Sequence, residues 1–96
     1  MIEVRQTAVF RAWLDGLQDH RAMTRVAQRI TRLEAGLFGD AKSVGGGVSE
    51  LRIDYGPGYR LYFVRSGKAI VLLLCGGDKR SQDADIAKAQ RMAKEI

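Results

Sequence analysis

The 96-residue chain contains one cysteine, one histidine and one proline. A lone Cys75 allows no intrachain disulfide and no cysteine-based zinc cluster. It ends an apolar run, where a free cysteine acts as a small buried hydrophobe. A lone His20 excludes catalysis by a pair of histidines. Its place between two helical segments, far along the chain from the other polar clusters, makes it a solvated turn residue. No HExxH, paired-cysteine or Asp-rich loop pattern occurs, so neither a metal nor another cofactor is expected. The longest apolar run, Ala69 to Cys75, is far too short to span a bilayer. The opening Met1-Ile2-Glu3-Val4-Arg5 lacks the apolar stretch of a signal peptide. A cytoplasmic protein with no membrane partner is expected.

Positive charge is what the sequence has in excess. Lysine and arginine number 16 against 11 aspartates and glutamates, a net charge of +5. With 46% hydrophobic and 28% charged residues, the balance is that of a globular chain and not a disordered one. The length suits a single domain, residues 1–96. The charge favours an anionic partner: nucleic acid, an acidic membrane surface or an acidic protein. A basic surface that only keeps the protein in solution is the plain alternative.

Ile2 to Arg5 alternates as a short strand. Thr7 offers a helix N-cap, and Phe10, Trp13, Leu14 and Leu17 follow as one apolar stripe, with Trp13 a core residue. A turn near Asp19 and His20 leads to a second helix with Met23, Val26, Ala27, Ile30 and Leu33 on its apolar side. Arg21, Arg25, Arg29 and Arg32 gather on another face about 80° wide. That face could meet RNA or an acidic partner, or simply be solvated. Dense glycines from Gly36 to Gly47 predict a loop. Val48 to Tyr55 alternates, with Leu51, Ile53 and Tyr55 on one side and Glu50, Arg52 and Asp54 on the other. Gly56-Pro57-Gly58 is a turn signal. Tyr59 to Arg65 places Leu61 and Phe63 on one face and Arg60, Tyr62 and Val64 on the other. Ala69 to Cys75 is apolar throughout, the mark of an inner strand, and Gly76-Gly77 is expected to break it. A last helix begins near Ser81 or Gln82.

The predicted order is β-α-α-β-β-β-α, an α+β fold. It combines a mostly antiparallel twisted sheet, two early helices packed on one face, and a C-terminal helix. The face opposite those helices then carries Arg52, Arg60 and Tyr62, with Lys79 and Arg80 just past the last strand. Arginines converging with an aromatic residue suit a phosphate-binding groove with a stacking surface. Cross-strand pairing to Glu50 and Asp54 on a solvated face is the alternative. Gly76 to Ser81 suits either a phosphate cradle at a helix N-terminus or a plain strand-to-helix corner.

Four segments, FRAWLDGLQD (Phe10 to Asp19), RLEAGLFGD (Arg32 to Asp40), GVSELRIDYGPGYRLYF (Gly47 to Phe63) and LLLCGGDKRSQDADI (Leu72 to Ile86), carry a resemblance covering nearly the whole length. The chain resembles the addiction-module killer branch of the RelE/ParE superfamily, close to the HigB-like toxins of type II toxin–antitoxin systems. That resemblance implies the same element order and an antitoxin encoded by the adjacent gene, usually a helix-turn-helix protein. RelE-like and HigB-like members cut mRNA in the ribosomal A site; ParE-like members poison DNA gyrase on the same fold. In the RNA-cleaving members an arginine follows Gly-Tyr on the middle strand, matched here by Gly58-Tyr59-Arg60. A basic pair on the preceding strand falls on Glu50 and Arg52, half matched. A basic residue after the glycine that ends the last strand falls on Lys79 or Arg80. The C-terminal tyrosine of RelE has no counterpart, since that region holds Asp83 and Asp85.

The resemblance thus implies Arg60, Arg52 and Lys79 as catalytic residues; Tyr59, Tyr62, Arg80 and Gln82 are the expected RNA contacts. The expected function is a metal-independent, ribosome-dependent mRNA endonuclease. A gyrase-poisoning toxin and a non-toxic binding module are the competing readings.

Overall fold

A computed structural model describes residues 1–96 as β1 (Glu3–Gln6), α1 (Ala8–Asp15), α2 (His20–Glu34), β2 (Ala41–Gly45), β3 (Val48–Ile53), β4 (Tyr59–Ser66), β5 (Ile70–Asp78), a 3-10 turn (Lys79–Ser81) and α3 (Gln82–Lys94). Short polar residues start the first two helices. Thr7 Oγ1 accepts from the Phe10 amide at 3.0 Å and donates to the Leu74 carbonyl at 2.6 Å, which caps α1 and ties it to β5. Asp19 caps α2 through the amides of Arg21 and Ala22.

The strands form one sheet in the order β1-β5-β4-β3-β2. β1 runs parallel to β5 and the other pairs are antiparallel. The α+β expectation therefore holds, with one strand more than foreseen. The glycine-rich stretch expected to be loop contains β2, paired with β3 from Ala41 opposite Leu51 to Gly45 opposite Val48. Gly45, Gly46 and Gly47, all at positive φ, make the tight reversal that lets so short an edge strand form. The expected break at Gly76-Gly77 is also corrected, since β5 continues through both to Asp78. Here the glycines give clearance. A side chain at Gly76 would strike the Trp13 ring, and one at Gly77 the Asp85 carboxylate.

Alternation sorts the sheet residues as their spacing predicts. Leu51 pairs with Leu61, and both are buried with Ile53, Phe63, Val71 and Leu73 under Phe10, Val26 and Leu33. Trp13, Leu14, Leu17 and Ile30 pack on this cluster. The stripe of α2 is rotated slightly from the one expected, with Ala22 buried and Ala27 exposed. Removing the ring of a fully buried phenylalanine such as Phe10 costs about 3–5 kcal/mol.

The second face of the sheet is not open. Helix α3 lies across it, enclosing Val48, Tyr62, Leu74, Cys75 and Ala89. A bulge between Tyr62 and Phe63 skips Leu74, so that Leu74 and Cys75 both point toward α3. No helix is long and apolar enough to cross a membrane.

Candidate functional site

Three of the expected site residues meet at one end of the sheet. Arg52 and Arg60 stand directly opposite each other on β3 and β4. Lys79 opens the turn after β5, and all three line a depression of about 330 Å³. Its rim is the Gly56-Pro57-Gly58 turn, and Asp40 and Asp54 are the carboxylates that line it. Gly58 sits at positive φ, which closes the turn and leaves the strand free to present Arg60. The Lys79 stem passes close to Gly58.

Two like charges in a direct cross-strand pair repel. Arg52 answers the repulsion with Asp40 at 3.6 Å and Glu50 at 3.9 Å. Arg60 has no ion pair, and its Nε is buried without a hydrogen-bond partner. Lys79 is exposed and unpaired. The depression thus presents two uncompensated cations and a third that is partly compensated. That arrangement suits an anion with several oxygens, such as a phosphodiester.

Glu50 lies behind the arginines with none of its surface exposed. It receives the Tyr62 hydroxyl at 3.3 Å and the Gln82 side-chain amide at 2.7 Å. Its other oxygen, Oε1, has no hydrogen bond and lies nearest the Arg52 Nε. Burial first, then the Glu50 charge, push the Tyr62 phenol far above the usual tyrosine range. The sequence put Glu50 on the same face as Arg52, read either as a phosphate-binding groove or as a solvated face. Its phase with Arg52 was legible, but its burial follows from α3, an element that alternation within β3 does not report.

The four expected RNA contacts fare differently. Tyr62 is fully buried beneath α3 and offers no ring for stacking. Tyr59 is 9% exposed and packs edge-on against Trp13, with centroids 6.2 Å apart. It shares the parity of Leu61 and Phe63, so it faces α1 and not the arginines. Gln82 spends its amide on Glu50. Arg80 is exposed but paired with Asp78 at 3.1 Å, and it does not line the depression. Of the two basic residues offered by the sequence after β5, Lys79 is therefore the one that joins Arg60.

The corner after β5 is closed to a phosphate by its own carboxylate. Asp78 accepts the Arg80 amide at 2.8 Å, and Ser81 bonds Asp85 at 2.5 Å. Hydrogen bonding to Arg80 holds the Asp78 carboxyl below its ordinary range. No group of three or more His, Cys, Asp or Glu side chains is placed to hold a metal ion. His20, at the start of α2, lies apart from the depression. Cys75 is buried, and burial pushes its thiol up to about 11.

A family model of phage-derived Gp49-like proteins (DUF891) matches residues 12–95. The chain belongs to that family. The matched span includes Arg52, Arg60 and Lys79, so the whole depression lies within the family's own sequence. An uncharacterised protein of Haemophilus influenzae is 47% identical over 95 residues, covering 99% of this chain and 96% of the relative.

Proposed function

We propose that this Gp49-like protein is the toxin of a toxin–antitoxin pair, and that it cleaves mRNA on the ribosome. One observation carries the reading: Arg52, Arg60 and Lys79 converge on a single depression, with no carboxylate paired to Arg60 or Lys79. The resemblance to RelE-like and HigB-like toxins supports the same residues.

Attack of a ribose 2′-OH forms a cyclic phosphate as the P–O5′ bond breaks, with the 2′-OH proton passing to a base and the departing 5′-oxygen taking one from water. The attack gathers negative charge on the oxygens of a five-coordinate phosphorus. Preorganised guanidinium and ammonium groups stabilise that charge without reorganising. Arg60 is the main clamp, since its fork is not committed to another anion. Arg52, its charge partly offset by Asp40 and Glu50, lines the second side of the cleft. Lys79 approaches from the end of β5 as a point charge. Asp40 and Asp54 are the only carboxylates lining the depression, and they are its available proton acceptors. The absence of a histidine here leaves catalysis mostly electrostatic, with the substrate held in position by the ribosome.

Such a protein requires a neutralising partner, and an antitoxin encoded by the adjacent gene is the partner proposed. Mapping mRNA 5′ ends soon after induction tests target and chemistry together. Codon-phased cleavage is the expected result. Growth arrest with intact mRNA and trapped gyrase–DNA complexes would replace this reading with gyrase poisoning.

A further inference from the structure

The depression does not account for the arginines of α2. Arg29 is structural, donating to the Arg52 carbonyl at 2.7 Å and the Phe38 carbonyl at 3.3 Å. Arg21, Arg25 and Arg32 are exposed, and none has a carboxylate within 4 Å. Arg25 lies over the Tyr55 ring, 4.6 Å from its centroid, which holds its guanidinium on the surface. Asp19, the acidic residue nearest Arg21 and Arg25 in sequence, is already committed to the amides of Arg21 and Ala22 and to the Tyr55 hydroxyl. Glu34, the one nearest Arg32, makes no ion pair with it. Eleven residues at about 1.5 Å rise spread Arg21 to Arg32 over about 16 Å of helix axis.

We infer that this face of α2 is a second RNA contact, which grips the phosphate backbone of an RNA duplex beside the cleavage site. Two features favour RNA over an acidic protein. The open surface along the first turns of α2, lined by His20, Arg21, Thr24, Arg25 and Gln28, contains no hydrophobic residue. The exposed large hydrophobics, Met1, Val9, Leu37 and Ile96, all lie off this helix. A protein partner needs apolar anchors at the centre of its interface, whereas a duplex backbone needs only donors and positive charge. The surface is also continuous with the cleavage site. The hollow beside Arg25, Arg29 and Arg32 shares Ile53 and Asp54 with the depression that holds Arg60. Asp54 is the one carboxylate at that junction, and it opposes a phosphate chain passing there.

The inference goes beyond the endonuclease reading, because it concerns binding of paired RNA whether or not RNA is cut. The test is fluorescence anisotropy with an RNA duplex of about 16 base pairs, titrated with salt between about 50 and 200 mM. The R21Q/R32Q protein changes only exposed side chains and avoids the Arg25–Tyr55 stack. It should bind about thirtyfold more weakly near 0.1 M salt, with the log–log salt slope reduced by about 1.5–2. R21K/R32K should restore most of the slope, and Asp54→Asn should tighten binding. Arg60→Ala should change the slope by no more than about one. An unchanged slope in R21Q/R32Q overturns the inference. So does a variant that loses its antitoxin while keeping RNA, which would make the face a protein interface. Failure of the two readings is separable. Duplex binding that depends on α2 without ribosomal cleavage removes only the endonuclease reading, and cleavage with α2-independent duplex binding removes only this one.

Discussion

Arg52 and Arg60 face each other across β3 and β4, yet only Arg52 is answered by carboxylates, Asp40 at 3.6 Å and Glu50 at 3.9 Å. The asymmetry divides their roles. At these distances the carboxylates offset the Arg52 charge without hydrogen-bonding it, and the uncompensated Arg60 keeps its full charge for an incoming anion.

Arg60→Ala should therefore abolish toxicity while leaving the fold intact, lowering cleavage on purified ribosomes by about 10²–10³. Arg60→Lys should recover only part of this, because an ammonium cannot make the two-pronged contact. Full cleavage by a folded Arg60→Ala protein would remove the catalytic assignment.

Tyr62→Phe takes one of two hydrogen-bond donors from the buried Glu50 carboxylate. A buried acceptor left short of a partner costs about 1–3 kcal/mol. Urea unfolding should show that loss, and Tyr62→Phe combined with Glu50→Gln should lose less than the sum of the two single changes. Additive losses would mean that the two side chains do not act together.

Gly76→Ala and Gly77→Ala separate two kinds of close approach. At Gly76 the obstacle is the rigid Trp13 ring, which is packed against the core. At Gly77 it is the end of the Asp85 side chain, which can rotate at the expense of its Ser81 bond. Thermal unfolding should rank Gly76→Ala as the more damaging, by about 1–3 kcal/mol for the forced repacking. Equal losses would show that α3 resists displacement as strongly as α1.

Alkaline stability should depend on Cys75. The unfolded thiol ionises from its ordinary value of 9.0, while the folded protein retains the proton up to about 11. A raised folded value means that stability is fully present below pH 9 and is lost as pH rises toward 11. The decline of the melting temperature over this window should be shallower in Cys75→Ala. It should not vanish, because the buried Tyr62 phenol is shifted in the same direction. Slopes identical in the two proteins would refute the Cys75 contribution.

Local spacing decided a good deal of this molecule. The period-two pattern of β3 and β4 put Arg52 and Arg60 on the face away from Leu51 and Leu61, and the helix stripes marked what covers those leucines. Tyr59, expected as an RNA contact, shares the parity of Leu61 and Phe63, and the structure packs it in the core against Trp13. Periodicity separates the two faces of a strand but does not say what lies over each. Only the tertiary structure laid α3 across the second face, which buried Tyr62 and Glu50 and drew Gln82 away from solvent. Long-range pairing alone turned residues 41–45 into an edge strand, because a segment so short and glycine-flanked has no strand signal apart from its partner β3. The choice between Lys79 and Arg80 likewise depended on Asp78, whose carboxylate holds the Arg80 side chain and leaves Lys79 beside Arg60.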